Sequence, residues 1–350
     1  MNLTRLMRAR RAKGMSTRQL AAAAGVSAMA ISKYERGITR PSPEVLVRLL
    51  AALEIDEAFL TEPVSVEFSD MEYRTLRELA LPELQKERIS ADVASQLEVR
   101  LECEALVPAL RPGELRVPRL PRRIGSLDEI EDVAERVRAH WGLGDHPIKN
   151  VMVLLEQHGF RVFTTDVDQG NRFDGFSAMY QDMPIIVLGA GWFGDRQRFT
   201  LCHELAHFLL KGRLAPGIDE ERACHRFAGA FLVPKGPALQ AMGAPRNELI
   251  STFELYMLKH AWGLSMQAFV YRALQLGVIQ ESQRGEQWRQ VRGEQGYTQE
   301  PGDQYPAEQP YHWFAALARA VGQGVLAGEL AAQLLRLDEE ELGKKLTLVS

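Results

Sequence analysis

Phe199-Thr-Leu-Cys-His203-Glu204-Leu-Ala-His207-Phe-Leu-Leu210 reads His-Glu-x-x-His inside an apolar run that has no glycine or proline. Helical periodicity puts His203 and His207 one turn apart on one face. Two imidazoles so spaced can grip one zinc ion, and Glu204 beside them can serve as the general base for a metal-activated water. Leu201, Leu205, Phe208 and Leu209 would bury the helix and keep the site dry. The bland alternative is a buried helix carrying two satisfied histidines. Against it stands the supply of a third ligand, since such catalytic zinc sites use three protein ligands and one open position.

The third ligand is expected from Asp219-Glu-Glu-Arg-Ala-Cys-His-Arg-Phe-Ala-Gly-Ala-Phe-Leu-Val-Pro234, acidic at its start, apolar at helical spacing, and stopped by proline. Glu221 is the first candidate. His225, one turn further along the same face, competes as ligand or as a neighbour that supports one. Glu220 is a further candidate but points about 100° away. An ordinary acidic first turn facing the helix dipole is the alternative for both glutamates.

The His-Glu-Leu-Ala-His helix followed by Glu221, Phe227-Ala-x-x-Phe-Leu-x-Pro resembles the ImmA/IrrE family of metallopeptidases. Phe173-Asp-Gly-Phe-Ser-Ala, Met183-Pro-Ile-Ile-Val-Leu, Arg196-Gln-Arg-Phe-Thr-Leu and Leu258-Lys-His-Ala-Trp-Gly-Leu-Ser match in order as well. The resemblance covers roughly residues 125–280. It implies His203, His207 and Glu221 as zinc ligands and Glu204 as base. The family usually has Ala-Asn where this chain has Cys224-His225.

The chain has 350 residues, enough for two or three domains, with 25 % charged and 46 % hydrophobic residues as in globular proteins. Net charge is −4, yet residues 1–54 hold ten Lys/Arg against three Glu, a local +7. A basic end on an acidic chain points to nucleic acid there. Three cysteines, Cys103, Cys202 and Cys224, without a CxxC pair, fit a reducing cytosol, and neither a secretory leader nor a membrane span is expected.

Within that basic end, residues 2–13 are expected as a helix. Ser16 would cap a second helix, Gly25 would supply a left-handed turn, and Ser27 would cap a third, closed by Gly37. Pro43 to Leu53 adds a fourth with an apolar face. Gln19-Leu-Ala, Gly25-Val-Ser and Ile31-Ser-x-x-Glu35-x-Gly37 resemble the XRE helix-turn-helix family over residues 2–56. That likeness implies a third helix in the major groove, with Ser27, Ala28, Met29, Ala30 and Lys33 at bases or phosphates. It places Arg18, Gln19, Arg36 and Arg40 on phosphate. Ala28 and Met29 offer little hydrogen-bonded readout, so thymine methyls and groove shape matter more.

The expected fold is mainly α with a small α+β part: an N-terminal helix-turn-helix bundle and a zincin-like metallopeptidase domain with a short three-stranded sheet. The sheet is read from Phe160–Thr165, Gly175–Tyr180 and Pro184–Leu188, which are rich in β-formers. The expected division is residues 1–60 for DNA, a helical linker at 61–122, the peptidase-like part at 123–280, a polar linker at 281–310, and a C-terminal helical segment at 311–350. Glu72–Ala80 and Leu84–Leu106 read as a helical hairpin in the first linker. Tyr180 or Arg198 is the candidate to steady an oxyanion.

The combined expectation is a cytoplasmic zinc metalloendopeptidase, with manganese as an alternative metal. It would bind double-stranded operator DNA and cleave a helix-turn-helix repressor, a partner or itself, in a stress or phage response. Single-stranded DNA as activator and a homodimer are further expectations. The alternative is a transcription regulator or antitoxin whose peptidase fold acts only as a sensor.

Overall fold

The computed structural model describes residues 6–55 without 8, 11, 12 and 14, then 57, 60, 66, 68–75 and 82–347 without 168–172, 245, 247, 293–299 and 336. The chain divides into two compact units: residues 1–67, 91–112 and 311–350 form one, and 68–90 with 113–310 form the other. The expected linker at 61–122 is thus shared between them.

In the second unit, a four-stranded sheet runs in the order β1-β3-β4-β2, with β1 Ser69–Thr75, β2 Arg161–Thr165, β3 Phe173–Tyr180 and β4 Met183–Gly189. The three expected strands are present. β3 and β4 form an antiparallel hairpin from Tyr180↔Met183 to Gly175↔Leu188, and β2 lies parallel to β4 on its other side. At the hairpin tip, Gln181 adopts φ 53°, the left-handed geometry of a tight turn. β1 pairs antiparallel with β3 through two register shifts. The sequence predicts a helix over Glu72–Ala80. Residues 72–75 belong instead to this strand, and 76–80 lie outside the described residues. Pairing with the open edge of β3 overrides the local helical preference, and α4, Glu83–Leu106, follows as a single helix rather than the arm of a hairpin.

Helix α7, Gly194–Leu210, packs on β3 and β4, and α8, Glu220–Leu232, packs against α7 and α5, Glu129–His140. Just ahead of α5, Glu129 N–H donates to Ser126 Oγ and the Ser126 hydroxyl donates to Glu129 Oε1, each 3.3 Å. Leu201, Leu205 and Leu209 of α7 join Phe227 and Phe231 of α8 and Phe160 and Val162 by β2 in one core. A buried ion cluster ties the layers. Glu131 of α5 accepts from Arg272 at 2.5 and 2.7 Å and from Arg226 at 2.5 Å. Burial pushes the Glu131 carboxyl up, but the two guanidiniums outweigh it and hold the group below its ordinary range.

Residues 281–310 correct the expectation of a polar linker. A helix, α12 Arg284–Arg292, stands in it, and Gln287 is buried with bonds to the Ile250 backbone N–H and C=O at 2.8 and 2.7 Å. Beyond it, two buried glutamates act as helix caps. Glu308 accepts from the Val151 and Met152 N–H groups (2.7 and 3.0 Å) that open α6, Val151–Gln157. Glu300 accepts from the Met266 and Gln267 N–H groups (2.9 and 2.8 Å) that open α11, Met266–Gln275. Helix N-termini carry unsatisfied donors and a positive dipole end, so a carboxylate is the fitting partner. Glu300 also pairs at 3.1 Å with the fully buried Lys259 of α10, Thr252–Trp262, whose ammonium lies 3.2 Å from Asp195 as well.

Gly194 packs directly against the backbone of residues 305 and 306. Its N–H donates to the Tyr305 carbonyl at 3.0 Å, and a Cβ there would sit 1.8 Å from the Pro306 carbonyl oxygen. Gly194→Ala forces backbone against backbone, which no rotamer relieves. A loss of about 1–3 kcal/mol in a denaturant titration is expected.

His158 stacks on Trp141 with ring centroids 4.2 Å apart. Burial first, then Arg116 and His140, push its imidazole down from 6.5 to about 4. Between those values the unfolded chain binds more protons than the folded one, so stability rises with pH. The contribution is complete above about 6.5 and is lost as pH falls towards about 4. His158→Phe should flatten this part of the stability profile in urea titrations run across that range.

The first unit holds α1 Thr17–Ala24, α2 Ala28–Glu35 and α3 Pro43–Leu53. Ser16 and Gln19 form a capping box on α1, Gly25 ends it at φ 66°, Ser27 caps α2 through Ala30 N–H, and Ser42 caps α3 ahead of Pro43. Of the helix expected over residues 2–13, residues 6, 7, 9 and 10 are helical and 2–5, 8, 11 and 12 lie outside the described residues. Arg10 closes the bundle with a two-pronged bond to Glu35 at 2.5 and 2.9 Å. The C-terminal helices α13 Tyr311–Gly322, α14 Gly328–Leu335 and α15 Glu339–Thr347 share this unit's core, where Trp313, Leu317 and Leu330 cluster with Leu106 and Leu110.

Candidate metal centre and nucleic-acid interface

α7 is helical through the whole His-Glu-x-x-His stretch, because it lacks breakers and is apolar enough to be buried nearly all round. His203 and His207 therefore project side by side, with their Nε2 atoms 3.1 Å apart. The Gly212–Gly217 loop returns the chain to α8, whose first turn Asp219 caps by accepting from Arg222 N–H at 2.7 Å. That turn brings Glu221 to the imidazoles. Its Oε2 lies 3.3 Å from His203 Nε2 and its Oε1 3.4 Å from His207 Nε2. One ligand atom from each of the three residues falls within 4.8 Å of the others.

Glu221 and the two histidines shift one another's charge. The two histidines' hydrogen bonds hold the Glu221 carboxyl far below the ordinary carboxylate range, against the opposing effect of burial. Burial disfavours a charged His207, yet its bonds to Cys224 and Glu221 win and raise its imidazole well above the usual histidine value. Two buried imidazole nitrogens and the carboxylate of the exposed Glu221 form a donor set that fits zinc, or manganese.

Glu204, next to the first histidine, is 1 % exposed, and both of its carboxylate oxygens are buried. Glu220 falls instead in a second convergent group, with His207 and Cys224. Its Oε1 stands 3.3 Å from His207 Nδ1, on the far side of the ring from Nε2. A carboxylate there fixes the tautomer that leaves Nε2 free to bind a metal. Cys224 Sγ is 3.7 Å from the same Nδ1, and burial pushes its thiol up. Helical spacing turns Glu220 about 100° from Glu221, and that offset takes it to the other ring nitrogen. Glu220→Gln should weaken zinc affinity about 10–100-fold in a competition titration with a chelating dye.

His225 is half-buried, with its ring 4.8 Å from that of His203 and stacked on Phe199 at 5.8 Å. It stands beside the convergent three. Tyr180 ends β3 opposite Met183. Arg198, expected as an oxyanion donor, is fully buried; it pairs with Glu308 and donates to the carbonyls of Ile148, Trp262 and Gly263. Those partners give it a structural role and remove it from the oxyanion role.

In the helix-turn-helix bundle, Arg18, Gln19, Ser27, Met29, Lys33, Arg36 and Arg40 are exposed and Ala28 is half-buried. Met29 is 68 % exposed at the start of α2, where it has no apolar core to fill. Gln19 and Ser27 serve as helix caps, and Arg36 Nε donates to the Ser32 carbonyl at 3.1 Å. Four cations and a bare methionine thus share the exposed surface of α1, α2 and the turn after them. All three cysteines are free thiols, and no described helix is long and apolar enough to cross a membrane.

Comparison with family models gives two matches. Residues 6–60 match the helix-turn-helix model, and residues 155–274 match the model described as the IrrE N-terminal-like domain. No curated protein matches the chain.

Proposed function

We propose that this chain, an XRE-type helix-turn-helix domain joined to an IrrE N-terminal-like metallopeptidase domain, regulates transcription by limited proteolysis of a repressor. The observation that carries the reading is the convergence of His203, His207 and Glu221, with the buried Glu204 on the same helix. These three residues would hold zinc, with manganese as the alternative. When bound, the metal supplies Lewis-acid polarisation of a peptide carbonyl and of water.

The protein's own groups do the rest. His203 and His207 present Nε2, and Glu220 keeps the proton of His207 on Nδ1. Glu204 takes the proton of the attacking water on its carboxylate and delivers it to the nitrogen of the leaving amine. The dry surroundings, Leu201 and Leu205 among them, strengthen each of these interactions. The helix-turn-helix domain would hold operator DNA through Arg18, Lys33, Arg36 and Arg40. The repressor cut is a partner or this chain itself.

Electrophoresis and intact mass of zinc-loaded wild type beside Glu204→Gln, with and without single-stranded DNA, test the reading. Fragments cut between residues 1 and 120 in wild type alone mean self-cleavage. Cleavage of an added helix-turn-helix repressor by wild type alone means action on a partner. DNA binding that depends on zinc, with neither form cutting either substrate, would support the sensor reading and defeat this one.

A further inference from the structure

Helix α8 carries Glu221 towards the metal ligands, and a second stripe of the same helix faces elsewhere. Arg222, His225, Arg226 and Gly229, at helical spacing, line a cavity of about 780 Å³. That size lies within the roughly 300–1,000 Å³ of ligand sites. The cavity begins one side chain from the metal centre, because His225 both lines it and stacks near His203, 4.8 Å between rings. Phe199, Tyr271 and Trp288 give it aromatic walls, the last two meeting edge-on at 5.1 Å.

The lining is rich in charge, most of it paired. Five arginines face it against three carboxylates. Asp195 and Glu300 share the buried Lys259, Arg226 and Arg272 share Glu131 with Asp128 a further partner of Arg226 at 3.3 Å, Arg196 pairs with Asp174 at 2.7 Å, and Arg284 with Glu281 at 2.7 Å. Arg222 remains: it is exposed, adjoins Glu221, and its guanidinium has no ion pair among the described residues. An exposed, unpaired guanidinium lining an aromatic cavity suits a carboxylate next to a bulky flat side chain.

We propose that this cavity is the side-chain pocket of the peptidase centre. It receives an acidic residue, paired with Arg222, and the aromatic residue next to it in the peptide to be cut. The assignment rests on the metallopeptidase reading above.

The test uses the full-length zinc-loaded Glu204→Gln protein and fluorescence anisotropy of labelled, C-terminally amidated Gly-Ser-Asp-Trp-Gly-Ser. Two companion peptides carry Lys in place of Asp, or Ala in place of Trp. The Asp-Trp peptide should bind about tenfold or more tighter than either companion. Adding Arg222→Glu, a surface change, should reverse the order of the Asp and Lys peptides. Ala268→Trp, which fills the cavity, should weaken all three. Equal affinity for the Asp and Lys peptides, no binding at all, or indifference to Arg222→Glu would overturn the pocket. Hydrolysis by wild type is scored separately. Cutting without charge preference keeps the peptidase and removes the pocket. Charge-selective binding without cutting keeps the pocket and counts against the peptidase.

Discussion

Glu204→Gln is expected to lower peptide hydrolysis about 10²–10⁴-fold, the usual contribution of a positioned general base, while zinc content stays that of wild type. The amide has nearly the shape of the carboxylate, so the helix and its packing against β3 and β4 are kept. It cannot accept a proton at neutral pH, and it removes no member of the convergent set His203, His207 and Glu221. Cleavage assays paired with metal analysis of the same samples check both halves. Because Glu204 is buried, the Gln variant also gains no new solvent contact that could mask the loss. Retained activity in this variant would mean that the proton moves through another group.

Glu308→Ala is expected to give the largest loss of stability, about 3–5 kcal/mol, the cost of breaking a buried ion pair from one side. Arg198 is fully buried against Glu308 and would keep an uncompensated charge. The Val151 and Met152 N–H groups would lose their acceptor in the same step. For a protein whose total stability is of the order of 5–15 kcal/mol, that is a large share. Chemical denaturation of Glu308→Ala beside Glu135→Ala, an exposed glutamate on α5, checks it. The exposed change should stay within about 0.5 kcal/mol of wild type. Since α7 carries both Arg198 and the two histidines, loosening this anchor should also weaken metal binding.

The two cases differ in how far the sequence discloses them. α7 is legible because its chemistry is local: one unbroken apolar run sets the helix, and the helix sets the relation of His203, Glu204 and His207. The caps and turn of the helix-turn-helix bundle are legible for the same reason, since Ser16, Gly25 and Ser27 each act on their own neighbours. Glu300 and Glu308 are not. They sit in a stretch of Gln, Gly and Pro whose composition suggests solvent, and their partners are helix N-termini 34 and 157 residues away in sequence. The strand Ser69–Thr75 was hidden likewise: its Glu and Arg suit a helix, and only the open edge of β3 makes it a strand. Arg198 looked like a free catalytic cation because nothing near it in sequence reveals Glu308. Glu220 lay in between: its direction could be read from the helix, but not the ring nitrogen waiting there.

The most direct measurement is the zinc content of the purified full-length protein by mass spectrometry of the metal, for wild type, Glu204→Gln and His203→Ala. One zinc per chain in the first two and a loss of stoichiometric zinc in the third is the expected result. Full zinc occupancy in His203→Ala, or no zinc in the wild-type protein after loading, would contradict a metal centre built on His203, His207 and Glu221.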